Sequence, residues 1–333
     1  MKNILLIATG GTIASRPTED GLAPQLCAKD ILDCVPQLGS LCHIDALQLL
    51  NIDSTNMTPE NWLKIAACVK ENYFRYDGFV ITHGTDTMAY TASALSYLIQ
   101  NSAKPIVLTG SQKSIYDQET DARRNLYDAF LAAHDDALFG VMLVFDGRVI
   151  SGTRARKTHT KSMNAFSSID YPELALLREG RILHYIRNPR PWGLPAFYEQ
   201  LNPRVFVLRL IPGMNPQVLR LLLEDYDALV IESFGVGGLP CYEQKDFLDA
   251  VHAWSEAGKP IVITTQVPHE GSDIAVYRVG ARAASIPGVL QAHTMTVESV
   301  VTKLMWILPQ TRNLERIQQL FYTPVAHDLL MFE

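Results

Sequence analysis

The chain opens on an apolar run, Asn3-Ile4-Leu5-Leu6-Ile7-Ala8, that stops at Thr9-Gly10-Gly11-Thr12-Ile13-Ala14. Consecutive apolar residues bounded by glycines predict a short strand buried on both faces, the kind found in parallel sheets. The hydroxyl residues then stand at the strand's carboxyl end, and open α/β sheets bind ligands outside the carboxyl ends of their strands. Two glycines allow a sharp turn and expose backbone N–H groups close to a ligand. Thr12 would project into that crevice. Taken alone, the stretch is better explained as a plain strand-to-loop turn whose threonines bond to nearby backbone. A second cluster of the same kind reverses that preference.

The second cluster closes the strand Phe79-Val80-Ile81-Thr82, which ends at His83-Gly84-Thr85-Asp86-Thr87 and passes into a helix with Ala89, Ala92, Leu95, Ser96 and Ile99 on one face. Other segments repeat the alternation. Ile44 to Leu50 reads as a strand ending in Asn51-Ile52-Asp53-Ser54, and Pro105 to Thr109 as one ending at Gly110-Ser111-Gln112. Gly140 to Phe145 is a further strand. Thr58-Pro59-Glu60 starts a helix in which Trp62, Ile65, Ala66, Val69 and Tyr73 keep helical spacing, and Asp121 to Ala133 supplies another. Strands alternating with helices call for right-handed parallel crossovers, hence α/β architecture with a doubly wound, mostly parallel sheet. Ser15 to Gly21 shows neither periodicity and reads as a mobile loop beside the crevice.

With 333 residues, more than one core usually serves, two domains are expected. Order fails where Pro189, Pro191, Pro195 and Pro203 crowd together. The expected division is an N-terminal α/β domain over 1–188 carrying the chemistry, a linker over 189–203, and a smaller C-terminal α/β domain over 204–333. In the latter, strands are expected at Val205 to Leu210, Ala228 to Glu232 and Pro260 to Thr265. Helices are expected near Pro216 to Leu223, Glu243 to Glu256 and Val297 to Leu308. Phe234-Gly235-Val236-Gly237-Gly238 reads as a close backbone approach between domains or subunits.

Composition narrows the partners. A formal charge of −6 argues against nucleic acid, which is bound through a positive footprint. Too few apolar residues precede Thr9 for a signal peptide, and no run reaches membrane-spanning length. Five cysteines without a Cys-x-x-Cys pair signal neither a disulfide framework nor a zinc site. A cytoplasmic protein with reduced thiols and no metal is the expectation.

Parallel topology gathers the strand ends on one edge, so Thr9 and Thr12, Asp53 and Ser54, Thr85 and Asp86, and Ser111 can converge around a small polar substrate. Asp86 can cap its helix, or pair with a substrate ammonium while backbone N–H groups and the Ser54 hydroxyl hold a carboxylate. A threonine hydroxyl is a poor nucleophile until a base takes its proton, and a desolvated lysine is a candidate base. The run Thr153-Arg154-Ala155-Arg156-Lys157-Thr158-His159-Thr160 offers one, but residue pattern alone does not choose among Arg154, Arg156, Lys157 and Lys161. The Thr9–Thr12 turn lacks both Gly-x-Gly-x-x-Gly and a Gly-Lys-Ser/Thr ending, which disfavours a nucleotide loop. His83 is either a base or a hydrogen-bonded spacer.

Taken together, Thr9-Gly10-Gly11-Thr12-Ile13-Ala14, Asp53-Ser54-Thr55-Asn56-Met57, Thr82-His83-Gly84-Thr85-Asp86-Thr87-Met88, Leu108-Thr109-Gly110-Ser111-Gln112 and Arg156-Lys157-Thr158-His159 resemble, in order and spacing, the bacterial-type L-asparaginase family. Lys157-Thr158-His159 followed by Asn164-Ala165-Phe166 is more similar to its cytoplasmic, type I branch. The resemblance implies hydrolysis of asparagine to aspartate and ammonia through a threonine-linked acyl-enzyme, without cofactor. It implies Thr12 as nucleophile and Thr85, Lys157 and Asp86 as the activating cluster. It also implies substrate contacts from Ser54 with its neighbour Asp53, from Asp86, and from Gly11, Thr85 and Ser111. A homodimer or homotetramer is implied as well. Two departures stand out: Leu22 occupies the position of the family's loop tyrosine, and Gly238 that of a frequent asparagine. Activation of Thr12 through Thr18 or Glu19 is the expected substitute. An amidotransferase-associated subunit of this fold would need a further RNA-facing domain, for which the start of the first strand at Asn3 leaves no room. A catalytically silent amino-acid sensor is the remaining alternative, and the presence of Thr12, Thr85, Asp86 and Lys157 counts against it.

Overall fold

The computed structural model describes residues 1–18, 21–242, 245–276 and 278–330. The chain divides into two compact units, Met1–Glu199 and Gln200–Glu333.

The N-terminal unit is built on an eight-stranded sheet. Its strands are β1 (Asn3–Gly10), β2 (His43–Ile52), β3 (Gly78–Thr82), β4 (Pro105–Thr109), β5 (Gly140–Phe145), β6 (Arg148–Ser151), β7 (Ala175–Arg178) and β8 (Arg181–His184). Their spatial order is β8-β7-β6-β5-β4-β3-β1-β2. The five strands β2-β1-β3-β4-β5 are mutually parallel, and β6 to β8 extend the sheet antiparallel. From β1 the chain goes outward to β2 and then returns to the other side at β3. The order therefore reverses between β1 and β3, and their carboxyl ends flank a crevice of the kind that binds ligands in open α/β sheets.

The apolar runs explain the layering. Ile4, Leu6, Ala8, Val80, Val107, Met142 and Val144 share one core with Leu126, Ala129, Phe130 and Ala133 of the helix Ala122–His134. The alternate residues Leu5, Ile7, Phe79 and Ile81 are also buried and lie on the opposite face. There Tyr73, just after the helix Pro59–Asn72, stacks on Phe79 with ring centroids 6.2 Å apart. The helix Met88–Leu98 differs from expectation: every residue on it except Tyr90 is buried, so it has no single apolar face. Its small side chains, Ala89, Thr91, Ala92, Ser93 and Ala94, allow packing all round.

Ser15–Thr18 and Gly21, expected within a loop, are instead in strands: Ser15–Thr18 pairs antiparallel with Gly21–Pro24. The ladder brings Pro17 opposite Leu22; no apolar alternation announces it in the sequence. Glu19, one of the two residues expected to replace the family's tyrosine, lies outside the described residues. In the proline-rich stretch, Asn101 Nδ2 donates to the carbonyls of Trp192 and Leu194 at 2.7 and 3.1 Å. Ala196–Phe197 then pairs with Ile99–Gln100, so the N-terminal unit extends to Glu199.

The C-terminal unit has a four-stranded parallel sheet in chain order: Val205–Arg209, Ala228–Ser233, Ile261–Thr265 and Val289–Gln291. Val289–Gln291 was not expected. Of the helix expected over Glu243 to Glu256, Glu243 lies outside the described residues, Lys245–Asp246 pairs antiparallel with Cys241–Tyr242, and the helix runs Phe247–Glu256. The Phe234–Gly238 turn closes on itself, with Gly238 N donating to Phe234 O at 2.8 Å. Gly237, at φ +132°, packs on Ile274, so its close approach is made inside this unit. Among the described residues no helix is long and apolar enough to cross a membrane.

Candidate active site

The crevice is built where three strand ends meet. Ala8, Thr82 and Thr109 are neighbours in register across β1, β3 and β4. Thr9 Oγ1 donates to Thr82 O at 2.7 Å and ties the first two ends together. Gly11 follows at φ +81°, a conformation that favours glycine, with its N–H bonded to Ile52 O at 3.0 Å. A Cβ on Gly11 would lie 2.5 Å from Gly84 Cα and 2.8 Å from His83 C. The two loops therefore touch backbone to backbone, one residue before Thr12 on one side and one residue before Thr85 on the other.

Thr12 begins a short 3₁₀ turn, Thr12–Ala14, and is half-buried. The turn is pinned by Ser15 Oγ donating to Gly11 O at 2.9 Å and Ser114 Oγ donating to Ser15 O at 2.6 Å. Ser54 comes from the end of β2: a Cβ on Gly84 would meet its Oγ at 2.6 Å. Ser54 O accepts from Thr87 Oγ1 at 2.7 Å, which locks the β2 and β3 ends together. Asp53 caps the Ser54–Asn56 turn, its Oδ1 accepting from Thr55 N at 2.8 Å and Thr55 Oγ1 at 2.7 Å. Ser111 is fully buried and its hydroxyl donates to Lys113 O.

Lys157 reaches this group from a separate hairpin, Ala155–Lys157 against Phe166–Ser168. Its Nζ donates to Thr85 Oγ1 at 2.8 Å and to Asp86 Oδ1 at 2.6 Å. The lysine side chain is 16% exposed and that of Asp86 58%, so the carboxylate remains open to the crevice while the amine is largely shielded. The other cations of the run lie elsewhere. Arg154 is fully buried with its guanidinium 5.6 Å from the Tyr171 ring centre, and Lys161 is exposed. Gln112, quoted within a motif but given no role there, accepts from Thr85 Oγ1 at 3.4 Å and donates to Ser162 O at 3.0 Å. Only its place after the Gly110-Ser111 turn hinted at this. Among the described residues no group of His, Cys, Asp and Glu side chains could hold a metal ion.

His83 is a hydrogen-bonded spacer in this geometry. It is fully buried, with Nδ1 2.7 Å from Gly84 O and Nε2 2.9 Å from Thr91 Oγ1. Burial pushes its pKa down to about 4, so the ring is neutral near pH 7.

Strand ends bearing threonines, an adjacent lysine–aspartate pair and touching glycine turns bring hydroxyls, an amine and a carboxylate to one crevice of an α/β protein, and comparison with known families places it among α/β amidohydrolases. The chain belongs to the asparaginase family: residues 3–190 match the Asparaginase, N-terminal model, and residues 204–321 the Glutaminase/Asparaginase C-terminal domain. It is 41% identical to an L-asparaginase of Thermococcus kodakarensis, over 98% of each chain. It is 34% identical to L-asparaginase 1 of Escherichia coli, over 96% of this chain and 95% of that one. The solved thermostable L-asparaginase from Thermococcus kodakarensis superposes with a TM-score of 0.94 at 40% identity, covering 99% of this chain and 100% of that one. A component of the Glutamyl-tRNA(Gln) amidotransferase of the same organism is 33% identical, over 99% of this chain but 77% of its own length.

Proposed function

We propose that this chain hydrolyses L-asparagine to L-aspartate and ammonia, with Thr12 as nucleophile. The observation that carries the reading is Lys157 Nζ lying between Thr85 Oγ1 and Asp86 Oδ1, beside the point where the Gly11 and Gly84 turns touch. The Thr12 hydroxyl oxygen adds to the side-chain amide carbon of the substrate. As the C–N bond breaks, the hydroxyl proton leaves with the nitrogen as ammonia. Water then attacks the threonine ester: its hydroxide goes to the acyl carbon, its proton returns to the threonine oxygen, and aspartate is released. Thr85 and Lys157 relay the proton in both halves, with Asp86 steadying the amine.

Asp86 also takes the substrate's α-ammonium through its open side, and Ser54 the α-carboxylate, with Asp53 holding the Ser54 turn in place. Backbone of Gly11, Thr85 and Ser111 completes the pocket; the Gly11 N–H is held by Ile52 O, so stabilising the tetrahedral intermediate, usually the largest catalytic term, falls to the N–H groups of the other two. Cofactor-free action in the cytoplasm as a homodimer or homotetramer belongs to the same reading. The cytoplasmic part is supported by similarity, at 27% identity, to a probable cytoplasmic L-asparaginase from Campylobacter jejuni.

The test is ammonia release by purified protein, measured on asparagine and glutamine side by side. Activity on asparagine that disappears in Thr12→Ala and falls steeply in Lys157→Met supports the proposal. A Thr12→Ala protein with unchanged turnover refutes the nucleophile, and a folded wild-type protein that releases no ammonia refutes the reaction. Sedimentation velocity tests the oligomeric state.

A further inference from the structure

Behind the crevice lies a line of buried polar groups that the reaction does not consume. Trp62 Nε1, from the helix Pro59–Asn72, donates to Thr91 Oγ1 at 2.9 Å, and Thr91 stands on the helix Met88–Leu98. Thr91 Oγ1 is 2.9 Å from His83 Nε2, and His83 Nδ1 is 2.7 Å from the carbonyl oxygen of Gly84. Thr91 and His83 are fully buried, and Trp62 is 6% exposed.

The two ends of the line fix its direction. An indole N–H can only donate, and a carbonyl oxygen can only accept. The hydrogen between His83 and Gly84 must therefore sit on Nδ1. In a neutral imidazole Nε2 is then the acceptor, so the Thr91 hydroxyl donates to it while its oxygen accepts the indole N–H. All three bonds are satisfied by one arrangement of protons.

That arrangement acts on the peptide linking Gly84 to Thr85. The C=O and N–H of a trans peptide point in opposite directions. A Gly84 carbonyl held toward the buried His83 turns the Thr85 N–H the other way, on the side away from the imidazole. Gly84 has no side chain to resist rotation of that peptide, and its Cα carries the contact with Gly11.

We propose that Trp62, Thr91 and His83 form a proton-ordered relay in which His83 is a positioning residue: by holding the Gly84 carbonyl it sets the peptide that presents Thr85 to the crevice. The consequence for catalysis rests on the asparagine-hydrolysis reading above; the proton order does not. It also accounts for a histidine at the mouth of a catalytic turn that takes no part in proton transfer.

The experiment has two arms. In the first, ¹⁵N-labelled wild-type protein is examined by long-range ¹H–¹⁵N correlation at pH 7. The expected result is a neutral His83 with its proton on Nδ1; an Nε2–H tautomer or an imidazolium overturns the proposal whether or not the protein hydrolyses asparagine. In the second, steady-state kinetics on asparagine compare Thr91→Val with Thr91→Ser, and His83→Asn with His83→Gln. Thr91→Val removes the donor to Nε2 at nearly constant shape, and kcat is expected to fall about tenfold or more with KM nearly unchanged. Thr91→Ser restores the hydroxyl and most of kcat. Asparagine can place an amide N–H where Nδ1 stood, so His83→Asn keeps more of kcat than His83→Gln. A kcat in Thr91→Val equal to wild type, or equal losses in Thr91→Val and Thr91→Ser, overturns the positioning role. Wild-type protein inactive on asparagine, yet showing the Nδ1–H tautomer, separates failure of the functional reading from failure of the relay.

Discussion

Replacing Gly11 with alanine tests how closely the chemistry depends on the contact between the two turns. At φ +81° and ψ −179°, a backbone region essentially reserved for glycine, an alanine pays about 1–3 kcal/mol before any neighbour is considered. Its methyl group would also lie 2.3 Å from Gly84 N and 2.5 Å from Gly84 Cα, against 3.4 Å for an ordinary contact, so the turns must separate by about 1.1 Å. The obstacle is backbone on both sides, and no rotamer change relieves it. A displacement of about 1 Å at a reacting group commonly costs about a hundredfold in rate, near 2.7 kcal/mol of transition-state stabilisation. Gly11→Ala is therefore expected to lower kcat/KM for asparagine about a hundredfold while the melting temperature falls only modestly. Gly39→Ala is the control: its added methyl meets nothing within 4 Å, and activity should match wild type. The assay is ammonia release across a range of asparagine concentrations, paired with thermal unfolding. Wild-type kcat/KM in a folded Gly11→Ala protein would show that the contact between the turns does not position Thr12 against Thr85.

Other outcomes follow from buried charges and from the departure at position 22. Lys303 and Asp328 are paired at 2.6 Å with neither side chain exposed, and Asp328 Oδ1 also accepts from Val325 N at 2.8 Å. Asp328→Ala leaves a buried ammonium without its counter-charge and should cost about 3–5 kcal/mol in denaturant unfolding, most of it recovered in Lys303→Met/Asp328→Leu. Equal losses in the single and double variants would refute the ion pair as the cause. Desolvation raises the Asp128 carboxyl to about 6, despite Arg124 at 3.5 Å. Its folded pKa lies above the unfolded value, so ionisation costs stability above pH 6, and that cost fades as pH falls from 6 toward 4. Asp128→Asn should stabilise the protein by roughly 2 kcal/mol at pH 7.5 and by less at pH 5; a gain independent of pH would contradict this account. Leu22→Tyr should raise turnover on asparagine if activation of Thr12 is weakened by the missing loop tyrosine. An unchanged kcat would remove that idea.

Much of the frame was legible because buried parallel strands are written as continuous apolar runs. Ile4 to Ala8, Phe79 to Ile81 and Ile106 to Leu108 are each buried throughout, and each announced its strand without help from periodicity. Strands β6 to β8 were not legible: each is only four residues long, too short for run length or alternation to mark it. The cation at Thr85 could not be chosen from the run alone because that choice depends on pairing. In the hairpin Lys157 stands opposite Phe166 and Arg156 opposite Ser167, and successive strand residues face opposite sides. Thr58 shows another limit of local reading. It precedes the helix as expected, but its hydroxyl bonds to the Glu60 carboxylate and holds that group below the usual range, leaving the helix backbone uncapped by it.

The pairing of Lys157 with Phe166 also bears on biosynthesis. Gly11 and Gly84 come together through neighbouring strands, but the lysine is held by a ladder whose second strand ends at Ser168. A chain emerging from the ribosome could thus fold its central sheet pairs while its amine still lacked a fixed place. With the proposed role for Lys157, turnover becomes a late reporter of maturation, and nascent chains released before Ser168 should gain native-like strands long before they gain any capacity to liberate ammonia.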